Sequence, residues 1–126
     1  MQAGWLSRYG KDPVVIEPSG YLAPPLDGIW ATAPYLHNGS VPTLWHLLHP
    51  GQRPSVWSRR DDTFDHKRVG ITVDTHPGVP KSVKTARQRR GYFDTTKQGK
   101  SASGHLFPDK LTEPQKRAVL EFLKTL

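Results

Sequence analysis

The chain has 126 residues, with 18 Lys plus Arg against 11 Asp plus Glu, a formal charge of +7 with the histidines neutral. That length accommodates one domain, and with 35% hydrophobic residues and a mean hydropathy of −0.62 no apolar run approaches the roughly 20 residues of a membrane-spanning helix. The absence of cysteine removes disulfides, thiolate zinc sites and cysteine nucleophiles.

The first ten residues carry only Arg8 as a charge and no apolar core, so no secretory signal is expected there. Twelve prolines and eleven glycines predict few long regular elements, while four Trp, four Tyr and four Phe argue against disorder. Residues 1–19 read as a lead-in, with Val14, Val15 and Ile16 as a short strand between Pro13 and Pro18. The stretch 21–40 holds three prolines and the rings of Tyr21, Trp30, Tyr35 and His37, which fits an extended loop packed on an apolar surface.

Ser40 as N-cap, Pro42 in the first turn and a stop at Pro50 predict a two-turn helix with Leu44, Leu47 and Leu48 on its buried face. Two strands, 55–59 and 67–73, follow as a small hairpin with Asp61 and Asp62 between them. Seven of the cations lie in 81–100 against Asp94 alone, and 94–104 reads as a surface loop. Thr112-Glu113-Pro114-Gln115 fits a capping box opening an amphipathic helix, with Val119, Phe122, Leu123 and Leu126 on the apolar face and Lys116, Arg117 and Lys124 outside.

With one methionine, at position 1, and no cysteine, metal-ligating capacity rests on imidazole and carboxylate. His46 and His49, three apart, read as solvated helix-surface imidazoles rather than a metal pair, since no third ligand is near. His37, beside the Asn38-Gly39 turn, is open between bonding a backbone carbonyl and acting as a ligand. His105, taken alone, sits where a flexible glycine-containing loop meets Leu106-Phe107, and a histidine in that setting is usually not a ligand. No phosphate-binding, nucleophile-elbow or zinc-protease motif occurs.

The run from Gly20 to Leu44, with Thr32-Ala33-Pro34-Tyr35-Leu36-His37-Asn38-Gly39-Ser40-Val41-Pro42-Thr43-Leu44 at its centre, closely resembles the C-terminal haem domain of bacterial di-haem c-type cytochromes. Those form the superfamily of di-haem cytochrome c peroxidases, the related methylamine utilisation enzyme and rubber oxygenases. The resemblance continues through Val69-Gly70-Ile71, Phe93-Asp94-Thr95, Gly104-His105-Leu106-Phe107 and the last sixteen residues, so that it covers 20–126. It implies a mainly α, cytochrome c-like domain with long loops wrapped around haem c, and a periplasmic location. It also implies that the loop before the last helix supplies the distal axial ligand to iron, a position held here by His105. Imidazole there donates more strongly to ferric iron than a thioether does, lowering the potential. The implied iron is six-coordinate and suited to electron transfer rather than to binding peroxide or oxygen.

By the same resemblance Trp30, Tyr35 and His37 line or support the haem pocket, core packing at the cofactor edge being the equal alternative. The departure from the pattern is the missing C-x-x-C-H, so thioether attachment cannot occur within this sequence. The expectation is therefore the C-terminal portion of a haem domain, joined to an upstream part of the same domain and to a second haem domain in an oxidoreductase of peroxidase-like kind. The chain alone is not expected to be catalytic, and the apolar faces of its two helices are expected to lack partners. The basic 81–100 segment would face an acidic redox partner or a haem propionate. The competing reading is a small basic polyanion- or nucleic-acid-binding protein, with Arg87, Arg89 and Arg90 on phosphates and Trp57, Tyr92 and Phe93 against bases.

Overall fold

The computed structural model describes residues 24–126; the short strand expected at 14–16 lies outside them. A 3-10 turn, Ile29–Ala31, leads through a cis Ala33–Pro34 peptide to helix α1, Leu44–Leu48. Strands β1 (Val56–Asp65) and β2 (Gly70–His76), helix α2 (Ala86–Arg89), strand β3 (Tyr92–Asp94) and helix α3 (Glu113–Leu123) follow in order. The sheet is antiparallel in the order β2-β1-β3.

The expectation of a mainly α domain does not hold: the described chain is 29% helical and 22% strand, with three helices beside a three-stranded antiparallel sheet. The cause is a hairpin longer than the alternation suggested. β1 runs on to Asp65, past Asp61 and Asp62, because the register slips between Arg59 and Phe64 and leaves the intervening residues as a solvated bulge. The turn falls at 66–69, where Asp65 Oδ1 accepts the amides of Lys67 and Arg68, each at 2.9 Å. β3 adds the third strand by pairing Trp57 with Phe93, whose rings stack at 5.0 Å and 5°.

α1 is also shorter than its sequence frame. Thr43, not Ser40, is the N-cap, accepting the His46 amide at 3.1 Å. Ser40 is fully buried three residues further out, where its carbonyl accepts the Trp57 indole N–H at 3.1 Å and its hydroxyl has no partner among the described residues. The hairpin turn closes directly over this corner. Leu44 N–H donates to Val69 O at 2.8 Å, Trp45 N–H to Arg68 O at 3.0 Å, and Ile71 N–H to Pro42 O at 3.1 Å. Val69 is held there at φ 57, a left-handed backbone that a β-branched residue adopts only when its surroundings fix it.

The core gathers Tyr35, Val41, Leu44, Leu48 and Val69 with Leu120 and Leu123 of α3. The apolar faces of α1 and α3 are thus each other's partners, contrary to the expectation that both lack one. The capping box appears as expected, Gln115 Oε1 accepting the Thr112 amide at 2.8 Å. Its helix is rotated from the sequence reading. Lys116, Leu120 and Leu123 face inward, and Phe122 is 61% exposed. The i, i+4, i+7 row that begins at Lys116 wins because the Lys116 ammonium reaches Glu113 Oε1 at 3.4 Å, so the stem is buried while the charge stays paired.

Candidate haem-facing site

Two loops that are far apart in sequence meet at one end of the core. In the first, residues 36–40, Leu36 and Gly39 adopt positive φ, and Asn38 Oδ1 accepts the Ser40 amide at 3.1 Å, the turn that the Asn-Gly pair predicts. The Asn38 amide group then reaches across to donate to Ser101 O at 2.9 Å and Gly99 O at 3.3 Å. In the second, residues 99–107, the chain turns through Gly99, Gly104 and His105, all at positive φ.

Arg53 clamps that second loop. Its guanidinium donates to Ala102 O at 2.7 Å, Gly104 O at 2.8 Å and His105 O at 3.3 Å, and on its other side to Leu47 O at 3.1 Å and His46 O at 3.2 Å. The last carbonyls of α1 and the carbonyls of the loop therefore share one planar donor, a task for which the fork of arginine is suited and the single ammonium of lysine is not. Burial pulls this guanidinium below its ordinary pKa, and the Asp109 carboxylate opposes the shift.

The outcome is that His37 and His105 are brought together, with ring centroids 6.5 Å apart and planes at 60°. His105 is exposed, sits at φ 49, and its ring nitrogens make no hydrogen bond among the described residues. A non-glycine residue in that backbone region, in a loop held by three arginine bonds, is in a conformation imposed by its neighbours. Leu106 and Phe107 beside it are 55% and 76% exposed.

The other residues expected at the site separate into two kinds. Trp30 is 44% exposed, and its indole N–H donates to Leu126 O at 3.1 Å, fixing the ring beside the end of α3 with Leu26 and Phe122 also exposed. Tyr35 is 5% exposed and belongs to the core: its hydroxyl donates to Ile29 O at 3.0 Å, and burial pushes the phenol up to about 12. It supports the site from within and has no face to offer a ligand.

His46 and His49 are not solvated, as their helix-surface placement suggested, but buried, at 4% and 8% exposure. They point apart. His46 Nδ1 lies 2.7 Å from Thr43 Oγ1, and burial, with the Arg68 and His49 charges adding to it, lowers the ring to about 4. His49 stacks on Trp45 at 4.2 Å, with Nδ1 2.7 Å from Trp45 O and Nε2 3.0 Å from Glu113 Oε2. Among the described residues no group of three or more metal-ligating side chains gathers, and no helix is long and apolar enough to cross a membrane.

The donor set at the 36–40/99–107 corner fits one side of an iron porphyrin: an exposed imidazole with uncommitted nitrogens, a second imidazole beside it, and large apolar side chains turned outward. It does not fit covalent attachment, which needs two thiols, and the chain has none. Sequence reasoning reached His37, His105 and Trp30 but missed Arg53, whose acceptors lie up to 52 residues away and leave no local signal. Asn38 was legible as a turn residue, not as a bridge to Ser101.

Residues 20–58 match the family described as RoxA-like, cytochrome c-like. The uncharacterized protein y4iM of Sinorhizobium fredii (strain NBRC 101917 / NGR234) is 44% identical over 86 residues, covering 68% of this chain and 19% of the relative. The uncharacterized protein y4iJ of the same organism is 40% identical over 119 residues, covering 86% of this chain and 18% of the relative. The chain spans less than a fifth of the length of the curated relatives it matches. Over residues 20–58, which carry the loop presenting His37, the sequence is similar to RoxA-like, cytochrome c-like domains.

Proposed function

We propose that residues 20–126 form the distal side of a c-type haem site, with 1–19 leading into it, and that His105 supplies the axial nitrogen to the iron. The observation that carries this reading is the exposed His105 imidazole, fixed at φ 49 through its backbone by Arg53 and placed 6.5 Å from His37. When bound, the haem supplies a one-electron couple. The chain's own residues do the rest. Arg53 and Asn38 hold the two loops, His37 flanks the ligand, and Trp30, Leu106 and Phe107 exclude water from the porphyrin edge. Tyr35 keeps the first loop on the core.

The thioether cysteines and the proximal histidine come from sequence outside this chain, in the same domain. In this reading the role is electron transfer within a larger oxidoreductase that carries a second haem and acts in the periplasm, and an acidic redox partner docks by charge. The support is the family match over 20–58 together with the exposed imidazole of His105, which would hold the iron.

Haemin titrated into the purified chain tests the assignment. The expected result is a red-shifted Soret band, from one protein imidazole on the iron, that His105→Ala abolishes and His66→Ala, on the exposed hairpin turn, preserves. An identical spectrum in His105→Ala overturns it.

A further inference from the structure

The basic segment does not lie as a flat charged face. Residues 79–83, the end of α2 and β3 with the turn after it enclose a cavity of about 550 Å³, lined by Val79, Pro80, Lys81, Val83, Arg89, Tyr92, Asp94, Lys97 and Lys100. That volume is in the range of small-molecule pockets, roughly 300–1,000 Å³. Four cations from separate stretches converge on it, and one carboxylate is present.

Asp94 offsets only one of the four positive charges. Its Oδ1 is already taken by the Thr96 hydroxyl at 2.6 Å and the Thr96 amide at 3.0 Å, and its Oδ2 lies 4.0 Å from Lys97. Among the described residues no carboxylate lies within 4.0 Å of a Lys81, Arg89 or Lys100 nitrogen. Lys100 is instead held with its ammonium 5.1 Å from the centre of the Phe93 ring, the ring that stacks on Trp57. Tyr92 is fixed in its turn by an edge contact with His76 at 5.2 Å. Cations that converge in excess of their counter-charge repel one another, and an anion of charge −2 relieves that repulsion better than a monoanion does. The remaining wall is apolar: Val79, Pro80, Val83 and the Tyr92 ring.

We propose that this cavity is a binding site for a small organic phosphate, with Arg89, Lys81, Lys97 and Lys100 on the phosphoryl oxygens and the organic part against Val79, Pro80, Val83 and Tyr92. Arg89 offers the paired donors that match two phosphate oxygens, and the lysines add charge without demanding one geometry. The site stands on α2, β3 and the turn after it, meets the 99–107 loop at Lys100, and does not depend on the haem reading.

Calorimetric titration of the full 126-residue chain with phenyl phosphate, at fixed ionic strength, tests it. The expected result is saturable binding whose Kd rises about tenfold or more in Arg89→Gln/Lys100→Gln, whereas Lys110→Gln/Arg117→Gln, with the same loss of charge elsewhere, changes it less than about twofold. Inorganic phosphate should bind more weakly, lacking the apolar contact. Equal losses in both double variants would reduce the effect to net charge and overturn the site, as would no binding at millimolar phenyl phosphate. Tighter binding of a polyglutamate peptide with the same dependence on Arg89 and Lys100 would also overturn it, assigning the cavity to an acidic protein segment.

Discussion

Arg53 donates from Nη2 to the carbonyl of His105 at 3.3 Å, the farthest reach of a guanidinium that also holds Ala102, Gly104 and the last carbonyls of α1. Hydrogen bonds to a charged group contribute about 1.5–3 kcal/mol each when their loss strands a partner, and less when water replaces it. Arg53→Leu is therefore expected to cost about 2–3 kcal/mol in stability. Amide protection should fall first at 102–107, and Arg53→Lys should restore little, since an ammonium cannot span both sets of carbonyls. Hydrogen exchange on the three proteins measures this directly.

A Cβ at Gly70 would meet Pro42 O at 2.3 Å and Thr43 Cα at 2.7 Å, backbone atoms that cannot move without lifting the hairpin from α1. Gly70→Ala is expected to destabilise by about 3 kcal/mol, at the upper end of overpacking costs. Gly51, with nothing within 4 Å of its added Cβ, is the matched control. Gly51→Ala should fall within about 0.5 kcal/mol of the parent. Urea midpoints of the two variants decide the matter.

His46 is lowered to about 4 by burial first, with Arg68 and His49 contributing, whereas in the unfolded chain it titrates near 6.5. Between those values the unfolded state binds a proton that the folded state refuses, so stability rises with pH there. The slope from this one group is at most about 1.4 kcal/mol per pH unit. The contribution is complete above pH 6.5 and is lost progressively down to about pH 4. NMR titration of the His46 ring should give a midpoint near 4, and His46→Gln should flatten the dependence of the urea midpoint in that window.

Glu113 titrates lower than an ordinary glutamate, chiefly through its hydrogen bond with His49 and then through the charges of His49 and Lys116. A carboxyl lowered on folding stabilises above its unfolded value near 4.5 and loses that contribution as pH falls through the folded value. Its window therefore lies below that of His46. A carboxyl carbon titration of Glu113 should return toward the ordinary midpoint in His49→Ala, and an unchanged midpoint would show that the contact between α1 and α3 is not made.

What the sequence discloses here is what neighbours in the chain decide. The Thr112–Gln115 box and the Asn38 turn are short-range hydrogen bonds, and both are found as expected. Ser40 had the composition of an N-cap, but the carbonyl that Trp57 requires holds it outside the helix, and Thr43 takes the role. α3 offers two apolar rows, one through Phe122 and one through Leu120. Choosing between them depends on Leu44 and Leu48, some seventy residues earlier in the chain. β3 is three residues long and shows no alternation to read, and its addition to a hairpin extended by a bulge overturns the mainly α expectation. The two candidate histidines were legible, but the side chain that brings them together was not, because all five of its acceptors are carbonyls that any residue would supply.

The most direct test of the central claim is the iron–histidine stretch of ferrous haem bound to this chain, read by resonance Raman in the parent and in His105→Gly, a substitution that the positive φ tolerates. The account predicts that stretch in the parent, its loss in His105→Gly, and its return when one equivalent of free imidazole is added. A stretch that persists in His105→Gly without imidazole would mean that another side chain ligates the iron and would contradict the assignment.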